Sequence, residues 1–403
     1  MADPTRRQLV KSLGALGAVA GAAVVAPRAA FGQTPVTARQ PPSTITIPPR
    51  DFGPNAPPTT YFTDPDIVAV DPVFNGYVQP NAAITRLWTG ALWAEGPAWS
   101  GQGRYLVWSD IPNNRQLRWL EDDERVTVFR SPSNNSNGNT FDFEGRQLSC
   151  EHLTRRVVRY EHDGSVTVIA DSYNGKRFTS PNDVVAHPDG SYWFTDPPYG
   201  AQLYEGQPDA PGGAANAAGR LRSRVGQSAD AGRMKRELPN GVYRVDTSGK
   251  VTLVASEEQV PDPNGLAFSP DYKKLYVVST GKGPGDTGPG GRGDMFVFDV
   301  GADNTLSNHR RFADYRIDGV PCSPDGVRCD VDGNVWCSSN AGRAVGYSGV
   351  TIWTPDGRLI GRIRLPEVCG NVCFGGPKRN RLFMAASQSL YAVYVNTQGA
   401  APG

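Results

Sequence analysis

Six times between Glu95 and Ser387 the chain repeats one plan: a polar residue, an apolar run, a turn and a second apolar run. The segments are "EGPAWSGQGRYLVWSD" from Glu95, "NTFDFEGRQLSCEH" from Asn139 and "NDVVAHPDGSYWFTD" from Asn182, then "NGLAFSPDYKKLYVVST" from Asn264, "DGVRCDVDGNVWCSSN" from Asp325 and "NVCFGGPKRNRLFMAAS" from Asn371. Each reads as a hairpin, two β-rich runs around a turn. Further strand pairs lie between them, such as "RVVRYEHDGSVTVIAD" and "GVYRVDTSGKVTLVAS". One unit therefore holds about four strands in about 40 to 50 residues, the size of a propeller blade. Unrelated hairpins in a sandwich would leave the recurring polar position without a reason. The expected fold is all-β, a six-bladed β-propeller. The last repeat supplies three strands, ending at "SLYAVYV", and an orphan strand, "AITRLWTG", precedes the first. Pairing the two closes the ring through an N-terminal strand and removes two exposed sheet edges. The stretch from Tyr199 to Asn240 and the segment "GKGPGDTGPGGRGD" read as loops inserted within blades.

Upstream of the repeats the chain is of another kind. Residues 1–32 carry Arg6-Arg7, an apolar stretch from about Leu13 to Ala26 and small residues near Gly32. That order is a twin-arginine signal peptide, and the apolar core is shorter than the roughly 20 residues a spanning helix needs. The expectation is export in the folded state to the periplasm or medium, with no membrane attachment once the signal is removed. Residues 33–80 are Pro- and Thr-rich and read as an extended arm on the surface of a propeller domain spanning 81–403. Export permits disulfides among Cys150, Cys322, Cys329, Cys337, Cys369 and Cys373. Cys322 and Cys369 are placed in loops where they could bridge; the alternative is buried free thiols. The spacing is not a zinc pattern. With 41 Lys+Arg against 40 Asp+Glu, the chain has no charge bias that would recruit nucleic acid.

In a propeller the first strand of each blade lines the central channel, so the residue that starts it lies at one mouth. Glu95, Asn139, Asn182, Asn264, Asp325 and Asn371 take that place in the repeats, and none is Lys or Arg. Two carboxylates with several amide oxygens form a hard-oxygen cage for one divalent cation. Ca²⁺ is the first expectation, with Mg²⁺, Mn²⁺ and Zn²⁺ as the others. Singly, Asn-Gly and Asp-Gly are ordinary turn dipeptides; recurrence at one repeat position argues for ligands. The second hairpin strands return to the same mouth, where Asp110, His152 and Asp196 either touch substrate or cap strand ends.

These segments resemble the gluconolactonase family, which includes regucalcin (the senescence marker protein) and is distantly similar to diisopropylfluorophosphatase and paraoxonase. The resemblance rests on "EGPAW" with a following "SD", "CEH", "SPNDVVAHPDGSYWFTDPPYG", "NGLAFSPD", "PDGVRCDVDGNVW" and "FGG", and covers about residues 84 to 397. It implies Glu95, Asn264 and Asp325 as core metal ligands, and Asn182 as a fourth ligand or a water-linked group on substrate. It also implies a sugar-holding Arg ahead of Asn182, matched here by Arg177 at a longer spacing than in the regucalcin branch. The activity implied is metal-dependent opening of a small sugar lactone of the glucono-1,5-lactone type. Asp325 would serve as general base to water, or attack the substrate directly. No GxSxG motif appears to support serine catalysis. Two other readings stay open: hydrolysis of another lactone or a phosphotriester, and a non-catalytic binding propeller with a structural Ca²⁺.

Overall fold

Alternating apolar and polar residues around Gly- and Asp-rich turns build six antiparallel blades among the described residues, beside two short two-stranded ribbons. The computed structural model describes residues 52–53, 63–202, 236–281, 293–342 and 344–401. The expected leader, most of the arm, and the bulk of both insertions lie outside the described residues. Blade one runs from Ala94–Ser100 to Val126–Arg130, blade two from Ser136–Phe141 to Val166–Ala170, and blade three from Val184–Ala186 to Val251–Ser256. Blade four runs from Pro263–Phe268 to Leu306–Asp314, and blade five from Ser323–Cys329 to Leu359–Arg364. Blade six has Cys369–Gly375, Arg381–Ala386 and Ser389–Tyr394 from the C-terminal end of the chain, and Thr85–Thr89 as its outer strand. That outer strand is the expected orphan: Thr85 pairs with Ala392 and Thr89 with Ser389, closing the ring. Each blade's first strand packs against the first strands of both neighbours, in order around the circle.

Packing between blades is aromatic. Trp99 of blade one stacks on Phe383 of blade six at 5.9 Å, Trp193 of blade three meets Phe268 of blade four edge-on at 5.3 Å, and Trp336 of blade five meets Phe374 of blade six at 5.3 Å. Such pairs add about 0.5–1.5 kcal/mol each beyond the area they bury. The arm is bound more closely than a surface strap. Its Ile67–Ala69 pairs with the outer strand of blade five as a fifth strand. The following 3-10 turn, Pro72–Tyr77, buries Phe74 against Trp336, in space left by the missing side chain of Gly361. All six cysteines are buried free thiols, so the bridge considered for Cys322 and Cys369 does not form. Both insertions join the second and third strands of a blade, leaving from Asp196 in blade three and Ser279 in blade four. Among the described residues no helix is long and apolar enough to cross a membrane.

Candidate functional site: the channel mouth

The inner strands are not regular where the repeat's polar residue falls. Glu95 pairs with Ser109, but the next pair is Ala98 with Val107, and a register shift recurs at the same place in blades two, four, five and six. A bulge bends its strand and re-aims one side chain. The residues so placed are Glu95, Asn137, Asn264, Asp325 and Gly370, with Asn182 as the counterpart in blade three. Each of the first four is followed by Gly. A Cβ on Gly96 would stand 2.2 Å from the Asn137 carbonyl oxygen, one on Gly138 2.4 Å from that of Asn182, and one on Gly265 2.1 Å from that of Asp325. Backbones of adjacent blades touch there, and only glycine fits between them.

This register corrects two expected mouth residues. Asn139 lies two residues past the blade-two bulge position and is spent between blades: its Nδ2 donates to the Gly96 carbonyl at 2.9 Å, and its Oδ1 accepts from Gln116 at 2.9 Å. Asn371 lies one residue late, in the place that Gly occupies elsewhere, yet its side chain still hydrogen-bonds Glu95. Its Nδ2 donates to Asp183 Oδ2 at 3.4 Å, and Arg328 Nη1 reaches the same oxygen at 3.5 Å. Asp183, Asn371 and Arg328 thus form a buried polar layer.

At the mouth itself the structure brings together Glu95 and Asp325 from blades one and five. Both carboxyls are buried, and the two are hydrogen-bond neighbours. Glu95 Oε2 accepts from the Gly96 N–H at 3.1 Å and Oε1 from Trp93 Nε1 at 3.4 Å. A Cβ on Gly370 would lie 2.2 Å from that Oε1, so the bare backbone of blade six is what admits the carboxylate. Asn264 donates its Nδ2 to Thr280 Oγ1 at 2.8 Å, leaving its carbonyl oxygen as the atom it can offer. Burial pushes the Glu95 carboxyl up to about 7, with the charge of Asp183 adding to it. Burial, then Glu95, then Asp183 drive Asp325 well above the usual carboxylate range. Two buried acids side by side resist ionisation unless a positive charge compensates them. The oxygen-only donor set of Glu95, Asn182, Asn264 and Asp325 fits a hard divalent ion. Among the described residues no three His, Cys, Asp or Glu side chains cluster as a metal centre, so amide oxygens must complete any such set.

The rim residues divide. Asp110 accepts from Leu92 N at 3.0 Å and from Arg115, and Asp196 accepts from Thr179 N at 2.8 Å and Ser180 N at 2.6 Å. Both are buried and hold loop backbones, which is the capping alternative. Burial raises the Asp196 carboxyl to about 7. Its two N–H partners fix the loop that leads into Asn182. His152 is different: its Nε2 lies 3.4 Å from Asn137 Nδ2, and its Nδ1 is buried with no partner. Arg177 does not join this group. It is exposed on a short hairpin, its guanidinium bonded to the Thr154 carbonyl at 3.0 Å. Sequence reasoning missed Asn137, Asp183 and Tyr199. Tyr199 is buried and donates to the Gly281 carbonyl at 2.9 Å, joining the stems of the two insertions. For Asn137 the signal was present: its Asn-Gly pair matches Glu95-Gly96, Asn264-Gly265 and Asp325-Gly326.

Residues 93–388 match the SMP-30/Gluconolactonase/LRE-like region. A gluconolactonase from Zymomonas mobilis is 27% identical over 83% of this chain and 87% of its own. A pentonolactonase from Haloferax volcanii is 25% identical over 74% of this chain and 83% of its own. The solved structure of a gluconolactonase from Xanthomonas campestris aligns with a TM-score of 0.66 at 30% identity, covering 85% of this chain and 99% of that one. The chain belongs to the SMP-30/gluconolactonase/LRE-like family.

Proposed function

We propose that this chain is a lactone hydrolase acting at the channel mouth, on a small sugar lactone of the glucono-1,5-lactone type. The carrying observation is the buried pair Glu95 and Asp325, flanked by amide side chains, with no Lys or Arg among the bulge residues. One divalent cation held by Glu95, Asn182, Asn264 and Asp325 would neutralise the two acids and polarise the lactone carbonyl, Ca²⁺ being favoured by the all-oxygen set. The residues themselves do the rest. Glu95 is fixed by Gly96 N and Trp93 Nε1, so it orients without reorganising. Asp325, once ionised, takes a proton from the water that attacks the carbonyl carbon, and returns it to the ring oxygen as the acyl C–O bond breaks. Walls of neighbouring strands exclude bulk water, which strengthens each of these contacts. His152 does not act as a cation: burial lowers it to about 3, so it stays neutral at the working pH. The twin-arginine leader adds to this reading a periplasmic or secreted site of action.

Support comes from family membership and from relatives that are themselves lactonases. A substrate panel tests it: glucono-1,5-lactone, a pentonolactone, an unsubstituted lactone and a phosphotriester, followed by proton release above the spontaneous rate. Fastest turnover of the hydroxylated lactones is expected. Turnover of the phosphotriester alone, or of none of the four by folded protein, would overturn it.

A further inference from the structure

The bulge residues of blades one, three, four and five account for the four cation donors, and blade six has Gly370 at its bulge. Blade two is left over. Its residue, Asn137, lies diametrically across the six-membered ring from Asp325. The side chain is buried, and its Oδ1 has no hydrogen-bond partner. An amide oxygen buried with no donor costs about 1–3 kcal/mol, and Asn137 Oδ1 is one of several side-chain atoms among the described residues in that state. The rest of the residue is held firmly. Its main-chain carbonyl accepts from Ser109 Oγ at 2.7 Å and Asn139 Nδ2 at 3.0 Å. Its Nδ2 points at His152 Nε2, 3.4 Å away. An imidazole that accepts at Nε2 carries its proton on Nδ1, and a Cβ on Gly200 would come within 2.7 Å of that atom. His152 is packed tightly against Gly200, and with its Nε2 accepting, the Asn137 amide turns Oδ1 away from the imidazole.

We propose that Asn137 Oδ1 is a specificity-determining contact that accepts a hydrogen bond from a ring hydroxyl of a polyhydroxylated lactone, with His152 as the positioning residue behind it. The inference rests on the lactonase reading for its substrate. The chemistry discriminates because the atoms of a bare lactone ring can only accept hydrogen bonds. A lone acceptor can be satisfied by a hydroxylated substrate and not by an unsubstituted one. A site built around a hydroxyl rejects the analogue that lacks it far more strongly than an apolar pocket would.

The test compares the mature protein with Asn137→Ala on glucono-1,5-lactone and δ-valerolactone, which has no hydroxyl. The variant should lose about ten- to a hundredfold in kcat/KM on the sugar lactone and stay within about twofold on δ-valerolactone. His152→Gln should show a smaller loss, mostly in KM. Equal losses on both substrates would make Asn137 a structural residue and overturn the proposal, as would no loss on either. Calorimetric titration with 1,5-anhydroglucitol, a ring polyol with no carbonyl, separates this from the lactonase reading. Binding that depends on Asn137 without turnover of any lactone would sink the hydrolase and keep the contact. Turnover that ignores Asn137, with polyol binding unchanged in the variant, would do the reverse. If Asn137→Ala does not melt cooperatively, Asn137→Ser carries the same comparison with a shorter acceptor.

Discussion

Glu95→Gln should stabilise the metal-free protein and destabilise the metal-loaded one. Burial lifts the Glu95 carboxyl from 4.5 to about 7. The folded chain therefore holds a proton that the unfolded chain releases, and the deficit is fully present above the folded value and absent below the unfolded one. At about 1.4 kcal/mol per pKa unit, the ionised carboxylate costs the fold about 3 kcal/mol at pH 8. Glutamine removes that cost and keeps an oxygen to accept one of the bonds from Gly96 N and Trp93 Nε1. Losing the other returns about 1 kcal/mol, leaving a net gain of about 2 kcal/mol. In a domain of this size that is about 3 °C in Tm. Differential scanning calorimetry in chelator at pH 8 reads it, and near pH 4, where only the lost bond counts, the variant should melt about 1–2 °C below the wild type. With Ca²⁺ at about a hundred times its Kd the wild type gains about 3 kcal/mol, and the variant, short of a ligand, gains much less. A variant that melts below the wild type in chelator at pH 8 would refute the reasoning, since the carboxylate would then be contributing to the fold without a cation.

The same shift predicts that metal-free wild type loses stability as pH rises from about 4.5 through about 7, read from chemical denaturation midpoints across that window. Gly370→Ala should displace the Glu95 carboxylate, because the new methyl would sit 2.2 Å from Oε1; cation affinity should fall at least about tenfold while the circular dichroism stays that of the wild type. Gly138→Ala meets backbone instead of a side-chain end, at 2.4 Å from the Asn182 carbonyl, and should cost about 1–3 kcal/mol in urea unfolding. Arg177→Ala should leave kcat/KM within about twofold, since its guanidinium is exposed and bonded to the Thr154 carbonyl.

Blade number, the closing strand and the two insertion points were legible because each is a matter of period: strand pairs recur, and the gaps fall where the period stretches. The places of Glu95, Asn182, Asn264 and Asp325 at the start of the inner strands were legible for the same reason. Register failed in blades two and six. "GNVCF" puts Gly370 in the ligand position and Asn371 in the glycine position, and "NGNTF" offers two asparagines two residues apart. Counting from the aromatic or apolar residue that ends each run would have selected Asn137, but a hydrophobic pattern cannot report a bulge. Asp110 and Asp196 look alike in sequence to any rim carboxylate. Only their bonds to backbone N–H groups separate a cap from a substrate contact. The fifth strand on blade five was hidden because Ile67–Ala69 is too short to carry a period of its own.

The most direct measurement is hydrolysis of glucono-1,5-lactone by the mature chain after chelation, with Ca²⁺, Mg²⁺, Mn²⁺ and Zn²⁺ returned one at a time and Asp325→Asn run alongside. The account predicts activity that vanishes on chelation, returns with at least one of these ions, and is absent from the folded variant under every condition. Full activity in chelator, or an Asp325→Asn protein that turns over at the wild-type rate, would contradict it.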